Sequence, residues 1–410
     1  MSQPLPPTVH FLRRYARRLH QAGVPAHQLE GLVVSIARDM GYRCDIWSSP
    51  TAIFLSLQGI DEDEDEPSLP MQLLRLSPAS INLAETADLY AMSEALLDGS
   101  LDAGAANQAL KDNPPRRRYP RWLEMLSGGL VSGAFAILLN SAWPSVVTAA
   151  LAGLAAALLF VQPMRALRAG SLEAVVAFLV TLLVYLVNHF ITGIDVTSTV
   201  MSGLIVLVPG LAFTIAVTEL STDHLSSGSA RLAGATITLF KLLLGVLIGM
   251  ALARWLGWDV ANATSWAFPA RPPWFLAVAL VVAGLAFAVL FSVRPRDIPF
   301  AVAAAVVGYG VSRAGVILGG VELGVLLAAL AIALLGNIMG RVFRRPASLI
   351  RVPGIILLVP GALGYRAVAN VLLLGSPDPR ETALHVAILV IALVGGLILG
   401  NSILPPRRHI

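Results

Sequence analysis

The chain has 410 residues, of which 56% are hydrophobic and 13% charged, about half the charged share of a soluble domain. A chain of that balance cannot be one soluble globule, and most of its length must sit in lipid or against other apolar helices. A formal net charge of +4 is not a nucleic-acid signal, because beyond the N-terminal region the arginines stand singly or in small groups between hydrophobic runs. The single cysteine, Cys44, excludes a disulfide framework and a Cys-based metal site.

Residues 1–113 read as a small cytosolic α+β domain. Its start carries His10, Arg13, Arg14, Arg17 and Arg18 without an apolar run, which is not a secretory signal. Periodicity predicts an amphipathic helix from Thr8 to Gln21, broken at Gly23 and Pro25, and a second from Ala26 to Met40 ending at Gly41. Tyr42 to Trp47 and Thr51 to Leu57 alternate as two strands joined by a Ser-Ser-Pro turn, and Met71 to Leu76 forms a third. The acidic run Asp61 to Glu66 is read as a solvated loop rather than a cation or partner site. Helices from Pro78 to Leu97 and from Ala103 to Leu110 complete the domain. Residues 114–121, with Arg116, Arg117 and Arg118, are a basic linker.

From Trp122 onward ten segments approach the length of about 20 apolar residues that a span requires. They lie near 123–141, 144–161, 172–191, 197–219 and 230–255 in a first unit over 122–256, and near 274–292, 298–313, 320–341, 352–374 and 382–404 in a second over 272–404. Most arginines, including Arg165, Arg231, Arg294, Arg345 and Arg351, fall on one side; Arg254, Arg271, Arg313 and Arg380 fall on the other. The richer side is cytoplasmic by the positive-inside rule, and both termini are expected there, in a multi-pass protein of the inner (plasma) membrane.

The two units repeat one another. Leu207-Val208-Pro209-Gly210 recurs as Leu358-Val359-Pro360-Gly361, a shift of 151 residues, and the same shift carries Gly133 onto Gly284, Gly203 onto Gly354, Gly245 onto Gly396 and Gly249 onto Gly400. Glycine and proline set backbone geometry, so these matches mean more than coincident Leu and Val. Five spans per unit is an odd number, which turns the second unit upside down relative to the first. The expected fold is therefore all-α and polytopic, ten helices as two inverted five-helix repeats, carrying a small α+β N-terminal domain. Paired Pro-Gly interruptions in inverted repeats are the pattern of a secondary transporter.

Proline inside a span removes a backbone hydrogen bond, so Pro209-Gly210 and Pro360-Gly361 are expected to free polar backbone near the membrane interior, where a zwitterion could use it. A simple kink is the plainer alternative. Thr214 follows the first pair; Tyr365 and Arg366 follow the second, and the Arg366 guanidinium could hold a substrate carboxylate or pair structurally with Glu322. Glu219, at the cytoplasmic end of its span, and Lys241, one of two lysines in the chain, are candidates for proton coupling and could pair with one another. An interfacial carboxylate and a snorkelling lysine are the structural alternatives. Gly249, in an apparently regular helix, is expected to tolerate Ala. No phosphate-binding Gly-rich loop ending in Gly-Lys-Ser/Thr, no metal-ligand spacing and no nucleophile elbow occurs, so neither an enzyme, a cofactor nor a metal is expected.

The stretch Leu19-His20-Gln21-Ala22-Gly23-Val24-Pro25-Ala26, Gly41, Pro50-Thr51, the run from Leu207 to Gly210 with Glu219-Leu220 and Gly228 to Leu232, and Val359-Pro360-Gly361 resemble the threonine/serine exporter family. The resemblance covers nearly the whole chain; Glu219 departs from it, since aspartate is usual there. In some members the two five-span units are separate proteins. It implies secondary-active export of threonine and serine, driven by the proton motive force. A dicarboxylate such as succinate is the alternative substrate, and a membrane-anchored signalling or scaffold protein is the alternative of another class. The expected partners are the small-molecule substrate and the lipid bilayer, with room for a homo-oligomer and none for nucleic acid.

Overall fold

A computed structural model describes residues 7–60, 71–115, 117–161, 170–191, 194–258, 272–358 and 379–406. The N-terminal domain is built from α1 (Pro7–Gln21), α2 (Ala26–Asp39), β1 (Tyr42–Ser49), β2 (Ala52–Gly59), β3 (Gln72–Arg75), α3 (Leu83–Leu97) and α4 (Ala103–Asp112). The strands form an antiparallel sheet in the order β1-β2-β3, with Ser49 opposite Ala52 closing the first hairpin on Pro50-Thr51. Apolar side chains of α1 and α2, among them Phe11, Tyr15, Leu19, Val33 and Ile36, pack on Ile53, Leu55 and Leu74 of the sheet. Burial pushes the Cys44 thiol up to about 12, so it stays protonated and inert inside this core. The helix expected from Pro78 begins instead at Leu83, because the Asn82 side chain caps it by accepting from the Glu85 N–H at 3.1 Å. The acidic run from Asp61 lies outside the described residues.

The remaining helices are α5 (Arg121–Leu138), α6 (Trp143–Val161), α7 (Leu172–Phe190), α8 (Val196–Leu204), α9 (Gly210–Ser221), α10 (Leu225–Trp255), α11 (Pro273–Leu290), α12 (Ile298–Phe343), α13 (Ser348–Leu358) and α14 (Pro379–Ile403). Among the described residues, four helical stretches are long and apolar enough to cross a membrane: Trp143–Phe160, Leu172–Phe190, Leu225–Trp255 and Pro295–Phe343. Gly210–Ser221, Trp274–Leu290 and Ala387–Ile403 are shorter apolar helices. This differs from ten uniform spans in identifiable places. The segment expected at 197–219 is split into α8 and α9. The segments at 298–313 and 320–341 are two helical legs of α12 parted at Gly319 and Gly320, whose backbone is non-helical, Gly320 taking φ 93°, and the legs fold back so that Gly315 lies against Gly324. The segment at 352–374 runs into residues outside the described set.

The repeat reappears in three dimensions as a set of matched close contacts. A Cβ on Gly245 of α10 would stand 2.8 Å from the Cβ of Ala177 on α7, and one on Gly396 of α14 would stand 2.8 Å from that of Ala329 on α12. Gly249 meets Thr181 as Gly400 meets Ala333, and Gly203 of α8 meets Val180 as Gly354 of α13 meets Ile332. Gly133 of α5 faces Ala150 of α6, as Gly284 of α11 faces Val302 of α12. The second leg of α12 thus takes the place of α7, α13 that of α8, and α14 that of α10. Small residues at these crossings let helix backbones approach closely enough for dispersion to hold them where water does not drive association. The expectation that Gly249 tolerates Ala is therefore corrected: its Cβ would lie 2.8 Å from Thr181 Cβ and 3.1 Å from the Phe178 carbonyl oxygen.

Candidate functional site

Pro209 has no N–H to donate to Ile205, so the helical ladder of α8 stops there. The chain turns through Ile205 to Pro209, held by bonds from Leu207 N and Val208 N to the Leu204 carbonyl, and resumes at α9. The expected break at Pro209-Gly210 is present. Gly210 opens α9 as a helical residue and is not among the positive-φ glycines, so the missing proline N–H makes the interruption. Pro360, Gly361, Tyr365 and Arg366 lie outside the described residues, and so does any Arg366–Glu322 pair; Glu322 approaches His385 at 3.2 Å.

Two cavities flank the break. One reaches Gly203, Val206 and Leu207 and is bounded by Glu173 of α7, Thr238 of α10, Phe287 of α11 and the linker. The other lies along α9 and is roofed by the N-terminal domain. Thr214, Thr218, Ser348 and Arg351 supply its polar wall; Leu211, Ile215, Val352, Ile355 and Leu397 supply its apolar wall; and Gly23 to Pro25, His27 and Gln28 roof it. Thr214 is buried, and its hydroxyl donates back to the Gly210 carbonyl at 3.1 Å, which leaves an oxygen lone pair for a ligand. Arg351 was counted in the sequence only as an orientation signal. Its place on the cavity wall follows from the packing of α13 between α9 and α12, which no local pattern records.

Glu219 is fully buried. Its carboxylate accepts the backbone N–H of Ala26 at 2.9 Å, the Ser227 hydroxyl at 2.9 Å, and Arg231 through Nε at 3.1 Å and Nη2 at 3.2 Å. Ala26 opens α2, so an anion sits on the positive end of that helix. Lys241 instead approaches Glu173 at 3.6 Å. The Glu219–Lys241 pair does not form, since each charge has a nearer partner on a neighbouring segment. Around Glu219 the His27 ring is pushed down to about 4, chiefly by burial, and His224 approaches Glu30 of α2 at 3.2 Å. The domain docks on the other half as well: Leu83 N and Ala84 N donate to the carbonyls of Phe291 and Ser292 at 2.9 and 3.1 Å, and Arg294 binds Asp88.

A family profile described as "Putative threonine/serine exporter" matches residues 10–253, and a second, "Threonine/Serine exporter, ThrE", matches residues 276–403. A "Probable threonine/serine exporter" of Mycobacterium tuberculosis is 25% identical over 83% of this chain and 66% of its own length. "Pheromone-regulated membrane protein 10" of Eremothecium gossypii is 23% identical over 87% of this chain and 48% of its own, and that of Candida albicans 24% over 87% and 33%. The chain thus spans about two thirds of the mycobacterial relative and a third to a half of these fungal ones. No solved structure matches. With both profiles together running from the N-terminal domain to the last helix, this chain belongs to the threonine/serine exporter family.

Proposed function

We propose that the chain is a secondary-active exporter of small hydroxylated amino acids, threonine and serine, with the site along α9. The observation that carries this reading is the cavity beneath the Pro209-Gly210 break, where Thr214, Thr218, Ser348 and Arg351 line one space together with apolar residues of α9, α13 and α14. A ligand with a charged end, a hydroxyl and a short carbon skeleton matches that wall. Membership of an exporter family supports the same direction. In this reading Pro209, Gly210 and Thr214 belong to the substrate site, with Pro360, Gly361, Tyr365 and Arg366 as their counterparts in the second repeat. Ten spans in two inverted repeats would give alternating access by exchange of the repeats' conformations. Proton coupling is assigned to the ion pairs of Glu219 and Lys241, each of which can open and re-form between states. Both termini are placed on the cytoplasmic face of the plasma membrane.

The test is uptake of labelled threonine, serine and succinate into inverted vesicles with and without an imposed proton gradient. Gradient-stimulated threonine and serine uptake is the expected result. Succinate uptake without amino-acid uptake would replace the substrate, and transport indifferent to the gradient would remove proton coupling. Reporter fusions at Arg116 and after Ile410 should both read cytoplasmic; a periplasmic signal from either would undo the inverted arrangement.

A further inference from the structure

We propose that Arg351 is the carboxylate-binding residue of the cavity along α9 and that Asn337 and Asn401 are its positioning residues; only the identity of the ligand rests on the exporter reading. A guanidinium keeps its proton at any physiological pH, and taking it out of water without an anion is costly. Other arginines in the region where the N-terminal domain meets the helices have a carboxylate: Arg231 has Glu219, Arg294 has Asp88 and Arg345 approaches Asp297 at 3.7 Å. Arg351 has none within 4 Å among the described residues, although it lines the cavity.

Its partners are neutral. Nη2 donates to the Asn337 oxygen at 2.7 Å and to the Asn401 oxygen at 2.6 Å, while Nε is buried without a hydrogen-bond partner. Asn337 is on α12 and Asn401 on α14, so two separate helices orient one edge of the guanidinium. The Asn337 amide nitrogen is itself tied to the Leu404 carbonyl at 2.6 Å, which turns its oxygen toward Arg351. Amide oxygens orient a cation without neutralising it. They leave its charge for a ligand, as an aspartate in either place would not. A carboxylate seated on Arg351 would have the hydroxyls of Thr214, Thr218 and Ser348 on the same cavity wall, which suits a hydroxylated amino acid.

The experiment is calorimetric titration of the full-length chain in detergent with threonine, with threoninol, which lacks the carboxylate, and with succinate. The wild type should bind threonine and reject threoninol. Arg351→Gln should bind threonine about 10- to 100-fold more weakly and no longer prefer it over threoninol, the size expected for losing hydrogen bonds to a charged group. Arg351→Lys keeps the charge but not the planar fork and should fall between. Asn401→Asp is close in shape and places an anion beside Nη2, so the protein should fold at least as well while threonine binding falls by a similar factor. That variant decides the matter if Arg351→Gln does not fold. Threonine binding and threoninol rejection unchanged in Asn401→Asp and in Arg351→Gln would overturn the assignment while leaving the exporter reading intact. Succinate bound in place of threonine, and lost in Arg351→Gln, would keep Arg351 and overturn the amino-acid reading. A wild type that binds none of the three overturns both.

Discussion

Glu219→Gln removes one negative charge from a side chain with 0% exposure. The amide keeps an oxygen for the Ala26 N–H or the Ser227 hydroxyl, but it presents an NH2 group where Arg231 had an acceptor. Both charge-assisted bonds to Arg231, at 3.1 and 3.2 Å, are weakened or lost. Breaking a buried ion pair from one side costs about 3–5 kcal/mol. The Arg231 side chain is 24% exposed, so water recovers part of that, and about 2–3 kcal/mol is expected. The loss falls on the docking of the N-terminal domain, because the same carboxylate holds the first N–H of α2. Hydrogen exchange on the full chain in detergent, followed in peptides covering Val24 to Leu29, should quicken about 30- to 150-fold, the equivalent of that energy. Peptides from the distant Gly245 region of α10 should not change. Glu219→Asp keeps the charge with a shorter reach and should lose less. Unchanged protection over Val24 to Leu29 in Glu219→Gln would refute the reasoning.

Gly249→Ala should lower the melting temperature by the equivalent of about 1–3 kcal/mol, the range for overpacking, whereas Gly234→Ala on the same helix, with nothing within 4 Å of its new Cβ, should leave it unchanged. Thr214→Val preserves shape and removes the hydroxyl from the cavity; in vesicle uptake it should raise the KM for threonine by up to about tenfold, the worth of one neutral hydrogen bond. The third expectation concerns pH. His27 is held down to about 4 from 6.5 by burial, with Glu219 opposing and His224, Arg351 and Arg231 adding to the depression, and its Nδ1 is buried with no partner. The folded chain therefore keeps the ring neutral while the unfolded chain binds a proton, so this contribution is complete above about pH 6.5 and is lost as pH falls toward 4. Thermal melts between those values should show the loss, and His27→Gln should flatten it.

The helices and strands of the N-terminal domain were legible to within a few residues because periodicity and breakers such as Gly23 and Pro25 act on the chain next to them. The interruption at Pro209 was legible for the same reason: a missing N–H is a property of that residue alone. The glycines shared by the two halves were legible as a pattern, but their purpose was not; Gly249 looked like a free position until Thr181 of α7 stood against it. Charges were the least legible. Glu219 and Lys241 looked like possible partners because each is an ionisable group in or at the end of an apolar span, yet Glu219 receives a backbone N–H from Ala26, 193 residues away, and Lys241 meets Glu173. Arg351 read as a cytoplasmic orientation signal, and only the crossing of α12 and α14 shows that its partners among the described residues are amides. Covalent and backbone constraints are local and so are written in the sequence, whereas the energy of a buried charge depends on which groups lie within a few ångströms of it, and that is decided only when distant segments pack together.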